Sequence, residues 1–174
     1  MQTSQRPTAV SSLQSQHRKG VVEVDDLSVS FRSRDVVHEV LTSVRFRVKP
    51  GEFVCLLGPS GCGKSTLLNA IAGFVPPSQG SVTVDGSRVT RPGADRGFVF
   101  QQYSLLPWKT TFQNVEMGLK YQKMPKSERR ELVDRYLNRV GLYKHRNSYP
   151  HQLSGGMEQR ASIIRALVNS PAVL

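Results

Sequence analysis

A chain that runs from a short apolar segment through a glycine-rich turn into a helix has few folds open to it. Residues 53–57 read FVCLL, residues 58–66 read GPSGCGKST, and residues 67–72 read LLNAIA. A buried strand, a flexible turn and a helix in that order form a phosphate-binding loop. Gly58, Gly61 and Gly63 lack a Cβ, so the backbone can bend and approach an anion closely. The loop N–H groups then point inward as donors to phosphate oxygens. The helix adds its unpaired N-terminal N–H groups and the positive end of its dipole. Lys64 supplies a mobile full charge for the outer phosphates, and the Ser65 hydroxyl can ligate Mg²⁺. The loop implies a nucleoside triphosphate and leaves open which machine uses it.

The 174 residues suffice for one core, or one core with a small appended subdomain. With 38% hydrophobic residues the composition is that of a globular chain, and no apolar run approaches the ~20 residues of a membrane helix. The first residues have no apolar core of the kind a signal peptide carries. Cys55 and Cys62 sit in the predicted strand and in the loop. A disulfide between them would distort both, so they read as free thiols in a reducing compartment. The net charge is +11, and residues 101–174 hold twelve Lys/Arg against five Asp/Glu. Three readings of that excess stand: solvated helix faces, a surface near anionic lipid headgroups, and nucleic-acid contact. No aromatic-interleaved basic strand and no recognition-helix signature supports the last.

Taken in order, residues 1–19 read as a disordered basic tail, polar and interrupted by proline. Val21–Val24, Leu27–Phe31 and Val44–Val48 alternate like strands of an antiparallel sheet. On pattern alone Phe31 is a core residue. Gly73 and Pro76-Pro77 end the helix that follows the loop. Ser81–Val84 with Asp85-Gly86 predicts a hairpin, and Gly97–Phe100 a short buried strand running into Gln101. Helices are predicted over Asn114–Tyr121 and Ser127–Val140. The second carries Leu132, Val133, Tyr136, Leu137 and Val140 on one face and ends at Gly141. Leu142–Gln152 reads as a polar linker. Ser154 is the N-cap of a last helix with an apolar stripe of Met157, Ala161, Ile164 and Val168. Ala172-Val173-Leu174 reads as the beginning of a buried strand. His145 and His151 lack partners of metal-ligand spacing.

Leu153-Ser154-Gly155-Gly156 repeats the physics of the first motif, a hydroxyl and two glycines at a helix start. Together, GPSGCGKST, VFQQYSLLPW and LSGGMEQR occur in the order in which the ATP-binding subunits of ATP-binding cassette (ABC) transporters carry their Walker A, Q-loop and signature motifs. From about Val21 to Leu174 the chain resembles those subunits, and LLPW followed by LSGGM resembles the branch serving nitrate, sulfonate and taurine importers. The resemblance implies an α/β P-loop NTPase (RecA-like) with a parallel sheet core, an N-terminal antiparallel β subdomain and an α-helical subdomain. It divides the chain into the tail (1–19), an ATP-binding core (20–100), a Q-loop and helical part (101–153), and the signature helix with a strand start (154–174).

By that resemblance, Phe31 stacks on adenine. Gly58, Pro59, Ser60, Gly61, Cys62, Gly63, Lys64, Ser65 and Thr66 hold the triphosphate. Ser65 and Gln101 ligate Mg²⁺, and Lys64 and Gln101 serve catalysis. Ser154, Gly155 and Gly156 bind the ATP of a second nucleotide-binding subunit in a head-to-tail dimer. Transmembrane permease subunits are implied partners, and the implied location is the cytoplasmic side of the plasma membrane, peripherally bound. No nucleic-acid partner is expected.

The family pattern continues with a strand ending in Asp-Glu, a D-loop and a histidine, none of which occurs in these 174 residues. The expectation is therefore a fragment that is incomplete at its C-terminus, binds ATP weakly, hardly hydrolyses it and exposes apolar surface. Two alternatives from other classes are a non-catalytic nucleotide-binding remnant and a soluble ABC protein acting on nucleic acid or ribosomes. A GTPase would need a guanine-reading motif such as NKxD, which does not occur.

Overall fold

A computed structural model describes residues 19–33, 36–102 and 104–174. The tail expected over residues 1–19 lies outside the described residues except for Lys19. The fold is mixed α/β and has two hydrophobic cores.

The first core is built on an antiparallel sheet of order β2-β1-β3-β4. Strands β1 (Val22–Ser33) and β2 (Val36–Val48) form a long hairpin. Strand β3 (Gln79–Val84) pairs with the other edge of β1, and β4 (Ser87–Arg88) closes the sheet. The predicted strands Val21–Val24 and Leu27–Phe31 are one strand. Val24 and Leu27 are three residues apart, which a period of two cannot put on one face. A bulge at Asp25-Asp26 absorbs the extra residue, so that Val24 and Leu27 are both buried. The Asp26 and Asp25 carbonyls crowd Gly80 of β3, where a Cβ would have no room. Asp85 and Gly86 both take positive φ, 50° and 77°, so the predicted hairpin turns through a type I′ bend. The Asp85 carboxylate also accepts the Gly20 and Val21 N–H groups at 2.8 and 3.0 Å, which ties the turn to the start of β1.

Helix α1 (Lys64–Ala72) packs against this sheet through Leu67 and Ala70, which join Val22, Leu27, Leu41 and Val82 in the core. Full burial of each such aliphatic side chain contributes ~2 kcal/mol. Gly73 caps α1 as expected, its N–H bonding the Ala70 carbonyl at 3.1 Å.

Two predicted strands do not form. Residues 53–57 and 97–100 have no ladder partners among the described residues. Strand geometry persists only where a neighbour accepts its N–H groups, and the one parallel link near them is a single bridge between Arg96 and Val173. That bridge is also what is seen of the strand start expected at Ala172–Leu174 and of the expected parallel sheet core. Phe53 and Leu57 are correspondingly 94% and 89% exposed, in line with the apolar surface expected. Phe98 and Phe100 instead cluster with Phe74, ring centroids 4.7–5.8 Å apart.

The second core belongs to helices α2 (Thr111–Tyr121), α3 (Lys126–Arg139) and α4 (Gly155–Leu167). Val115, Leu119, Val133, Leu137, Ala161 and Ile164 are its centre. Helix α2 starts three residues before the prediction because Thr110 and Gln113 form a reciprocal capping box. The predicted polar linker 142–152 is an ordered segment. Leu142 is fully buried, two 3₁₀ turns shape the chain, and the Ser148 and Arg146 carbonyls accept the Thr111 and Phe112 N–H groups. Hydrophobic Leu142 follows the Gly141 stop and fills the core, its N–H returning to the Leu137 carbonyl at 2.8 Å. Among the described residues no helix is long and apolar enough to cross a membrane.

Candidate functional site

The glycine loop leads into α1, and β2 provides its floor. Gly63 is the residue before the helix, with φ +92°, and a Cβ there would lie 2.7 Å from Leu41 Cδ2 and 3.0 Å from the Val40 carbonyl oxygen. Only glycine combines that left-handed backbone with that approach. Gly61 also has positive φ, +85°, but faces open space. The first α1 bond runs from the Leu67 N–H to the Gly63 carbonyl at 2.9 Å. The N–H groups of Lys64, Ser65 and Thr66 precede it, at the open positive end of the helix. Among the described residues no side chain caps that end.

Lys64 folds back over the loop. Its Nζ donates to the Gly58 and Pro59 carbonyls at 2.8 and 2.6 Å and approaches Cys62 Sγ at 3.5 Å. The ammonium is thus held at the mouth of the loop by carbonyls that an anion can replace as its partner. Pro59, Ser60, Gly61, Cys62 and Ser65 are exposed around it, and Thr66 is half-buried.

Phe31 is 45% exposed near the far end of the β1–β2 hairpin, opposite His38. The core role that its pattern suggested is overturned: past Ser30 the hairpin runs beyond the core and both faces of β1 open to solvent. An aromatic face is available there for stacking.

Gln101 is exposed in a bend between the two cores. On one side stand Phe98 and Phe100, and on the other Leu105, which packs on the helical core. Three contacts hold the bend's far side. Ser104 donates its hydroxyl to the Gln102 carbonyl at 2.8 Å, and Arg165 of α4 donates to the Ser104 carbonyl at 2.7 Å. Partial burial lowers the Arg165 pKa from its usual value, yet a guanidinium stays protonated. Fully buried Asn114 accepts the Leu106 N–H at 2.8 Å and donates to the Leu106, Lys109 and Thr110 carbonyls.

Ser154 takes the N-cap position of α4 with extended φ and ψ, as predicted, but its hydroxyl makes no capping bond. Its carbonyl accepts the Met157 and Glu158 N–H groups at 2.8 and 2.9 Å. Ser154, Gly155 and Gly156 are exposed, so the hydroxyl and the first N–H groups face outward together. Arg160 ties this end to α3 through the Val140 carbonyl at 2.7 Å. His151 stacks on Tyr149, and the His145 N–H bonds the Leu142 carbonyl.

The predicted residues therefore gather in two places. The loop residues 58–66 stand on the sheet core, and Ser154–Gly156 stand on the helical core, with Gln101 at the junction. Val40, Leu41, Arg165 and Asn114 were not anticipated. Their roles depend on contacts with segments distant in sequence, and only the Thr110–Gln113 capping box, next to Asn114, was readable as a local signal.

Comparison with known proteins is consistent throughout. The family model described as ABC transporter matches residues 41–174. The nitrate import ATP-binding protein NrtD of Synechocystis sp. is 49% identical over 153 residues, covering 88% of this chain and 58% of that protein. The taurine import ATP-binding protein TauB of Rhizobium johnstonii is 49% identical over 156 residues, covering 88% and 59%. The bicarbonate transport ATP-binding protein CmpD of Synechocystis sp. is 41% identical over 178 residues, covering 100% and 63%. The chain thus spans about three-fifths of the length of these relatives. Among solved structures, a dimeric post-hydrolysis state of the ATP-binding cassette MJ0796 bound to ADP and Pi superposes with a TM-score of 0.78. It is 36% identical, with 86% of this chain and 70% of that one covered.

Proposed function

Because this chain belongs to the ABC transporter family, we propose that it is the ATP-binding part of an importer of a small anion such as nitrate, a sulfonate or taurine. The observation that carries this is the glycine loop seated on Leu41 and Val40, with Lys64 poised over it and the open end of α1 behind it.

In this reading the N–H groups of residues 60–66 and the end of α1 bind the triphosphate, and the Lys64 ammonium moves from the Gly58 and Pro59 carbonyls to the outer phosphates. Phe31 stacks on the adenine face. Mg²⁺ fits the donors present: the exposed Ser65 hydroxyl and the Gln101 amide oxygen are neutral hard oxygens. Magnesium pairs such ligands with substrate phosphates and retained waters rather than a full protein cage. When bound, Mg²⁺ neutralises charge on the phosphates. The role of Gln101 is to place its amide oxygen at that position, and the Ser104–Arg165 contact holds its loop.

Ser154, Gly155 and Gly156 present a hydroxyl and free N–H groups outward from a core other than the loop's own. That separation supports their use on the ATP of a second nucleotide-binding subunit in a head-to-tail dimer. Transmembrane permease subunits complete the assembly, with this chain bound peripherally at the cytoplasmic side of the plasma membrane. The choice among anions rests on the relatives, whose names specify nitrate, taurine and bicarbonate.

The test is calorimetric titration with ATP and Mg²⁺. The expected result is binding that Lys64→Ala weakens by at least about tenfold, the loss of one charge-assisted contact. Equal affinity in Lys64→Ala, or tighter binding of GTP than ATP, would overturn the reading.

A further inference from the structure

Away from the nucleotide loop, three segments of the helical half converge on a cavity of about 240 Å³ with an unusual charge balance. Helix α2 contributes Phe112, Glu116 and Lys120, and α3 contributes Lys126, Arg129 and Arg130. The ordered segment after α3 adds Arg146. Five cations thus line one hollow together with a single carboxylate.

The acids that line this hollow and the one beside it are already engaged. Glu116 is buried and bonds Lys120 at 2.7 Å and Arg129 at 3.4 Å. Asp134 pairs with Arg146 at 3.1 Å from the side. Counting both acids against the five bases leaves a residual charge of +3. Lys126 and Arg130 are exposed at the rim and have no acidic partner among the described residues. They also border a second hollow along α3, whose acids are Glu131 and Asp134. Glu131 is taken by Arg135 at 3.0 Å.

The inner cations are held in place. Arg129 donates to the Met124 carbonyl at 2.6 Å, and its side chain is only 16% exposed. The Arg146 guanidinium lies 4.9 Å from the Phe112 ring centroid and 5.2 Å from that of Tyr143. The backbone on which Arg146 stands is fixed to α2 by its carbonyl, which accepts the Phe112 N–H at 2.9 Å. Like charges gathered by a rigid frame repel one another unless an anion joins them. Fixed guanidinium groups are pre-organised for phosphate oxygens, and mobile lysines at the rim add point charges.

We propose that this cavity is a second anion site, specific for a phosphoryl group and distinct from the nucleotide loop. The group can be supplied by an anionic phospholipid headgroup or by free phosphate; both present the same oxygens to the same cations. The site stands on residues that the nucleotide reading does not use, so either can fail without the other.

Inorganic phosphate and vesicles distinguish the sources. Phosphate is titrated into the Lys64→Ala chain, with the amide resonances of residues 112–130 and 146 followed by NMR, so that occupancy of the glycine loop does not contribute. Flotation is measured with vesicles of phosphatidylcholine alone and with added phosphatidylglycerol. Shifts confined to these amides identify free phosphate as sufficient. Binding to phosphatidylglycerol vesicles without such shifts identifies the headgroup. In either case Lys126→Ser with Arg130→Ser should weaken binding by about 30-fold, from about fivefold per cation near an anionic surface. Arg139→Ser with Lys144→Ser, removing the same charge from the end of α3 and the turn that follows it, should change it less than about threefold. No phosphate shifts together with no vesicle binding would overturn the proposal. Equal weakening by the two pairs would also overturn it, by reducing the effect to net charge. Both pairs are exposed and outside every ion pair of the described residues, so folding is spared.

Discussion

Replacing Gly63 by alanine tests whether the nucleotide loop is held by its floor or only by its own backbone. Two terms act at that position. Alanine at φ +92° is strained by ~1–2 kcal/mol, since a Cβ meets its own carbonyl in the left-handed region. The new Cβ would also lie 2.7 Å from Leu41 Cδ2 and 3.0 Å from the Val40 carbonyl. The methyl can rotate away, but the carbonyl belongs to β2 and cannot, so overpacking adds ~1–3 kcal/mol. Gly61 supplies the control: its φ is +85° and a Cβ there meets nothing. Any gain from restricting the unfolded chain applies to both and cancels. Urea denaturation should therefore show Gly61→Ala destabilised by ~1–2 kcal/mol and Gly63→Ala by ~2–5 kcal/mol, with unchanged m-values. ATP affinity should fall further in Gly63→Ala. Equal midpoints for the two variants would refute the view that β2 sets the loop's position.

Three further outcomes follow from the geometry around Gln101 and the loop. Asn114→Ala removes the four part-buried hydrogen bonds of a buried side chain and leaves Leu106 without its partner, so denaturant unfolding should lose ~3 kcal/mol; a loss below ~1 kcal/mol would contradict the network. Arg165→Met should speed hydrogen exchange of amides 101–105 and leave α2 protected, with Arg165→Lys intermediate; unchanged exchange would show that the Ser104 contact holds nothing. Iodoacetamide should alkylate exposed Cys62, followed by peptide mass spectrometry apart from exposed Cys55, and block ATP binding, and ATP added first should protect Cys62; the same alkylation rate with and without ATP would place Cys62 outside the site.

The helices and the sheet were legible because their signals are local. The stripe Val133, Leu137 and the stop at Gly141 define α3, and Asp85-Gly86 defines the β3–β4 turn. The loop motif was legible because its chemistry is written in consecutive residues. Segments 53–57 and 97–100 were misread as strands because apolar composition states only that a segment suits a sheet. Whether it becomes one depends on a partner's carbonyls, which lie elsewhere in the chain. The core role that pattern alone gives Phe31 fails for a related reason. Alternation gives the face of a strand, not the point at which the strand leaves the core. The floor of the loop was invisible because Leu41 and Gly63 are 22 residues apart and nothing in either neighbourhood announces the other.

The sheet's strand order has a consequence for the time course of folding. β1 lies between β2 and β3, and its pairing with β3 joins Val22 to Val84 across the whole loop-and-helix segment. In the helical half, by contrast, α2 and α3 pack against each other across the short turn 122–125. Short closures form sooner than long ones. The α2–α3 pair should therefore be in place while the glycine loop is still an open tether between β2 and a strand yet to dock. The capacity to grip a triphosphate would then arise late, when the β1–β3 pairing pulls α1 onto the sheet and Gly63 onto its floor.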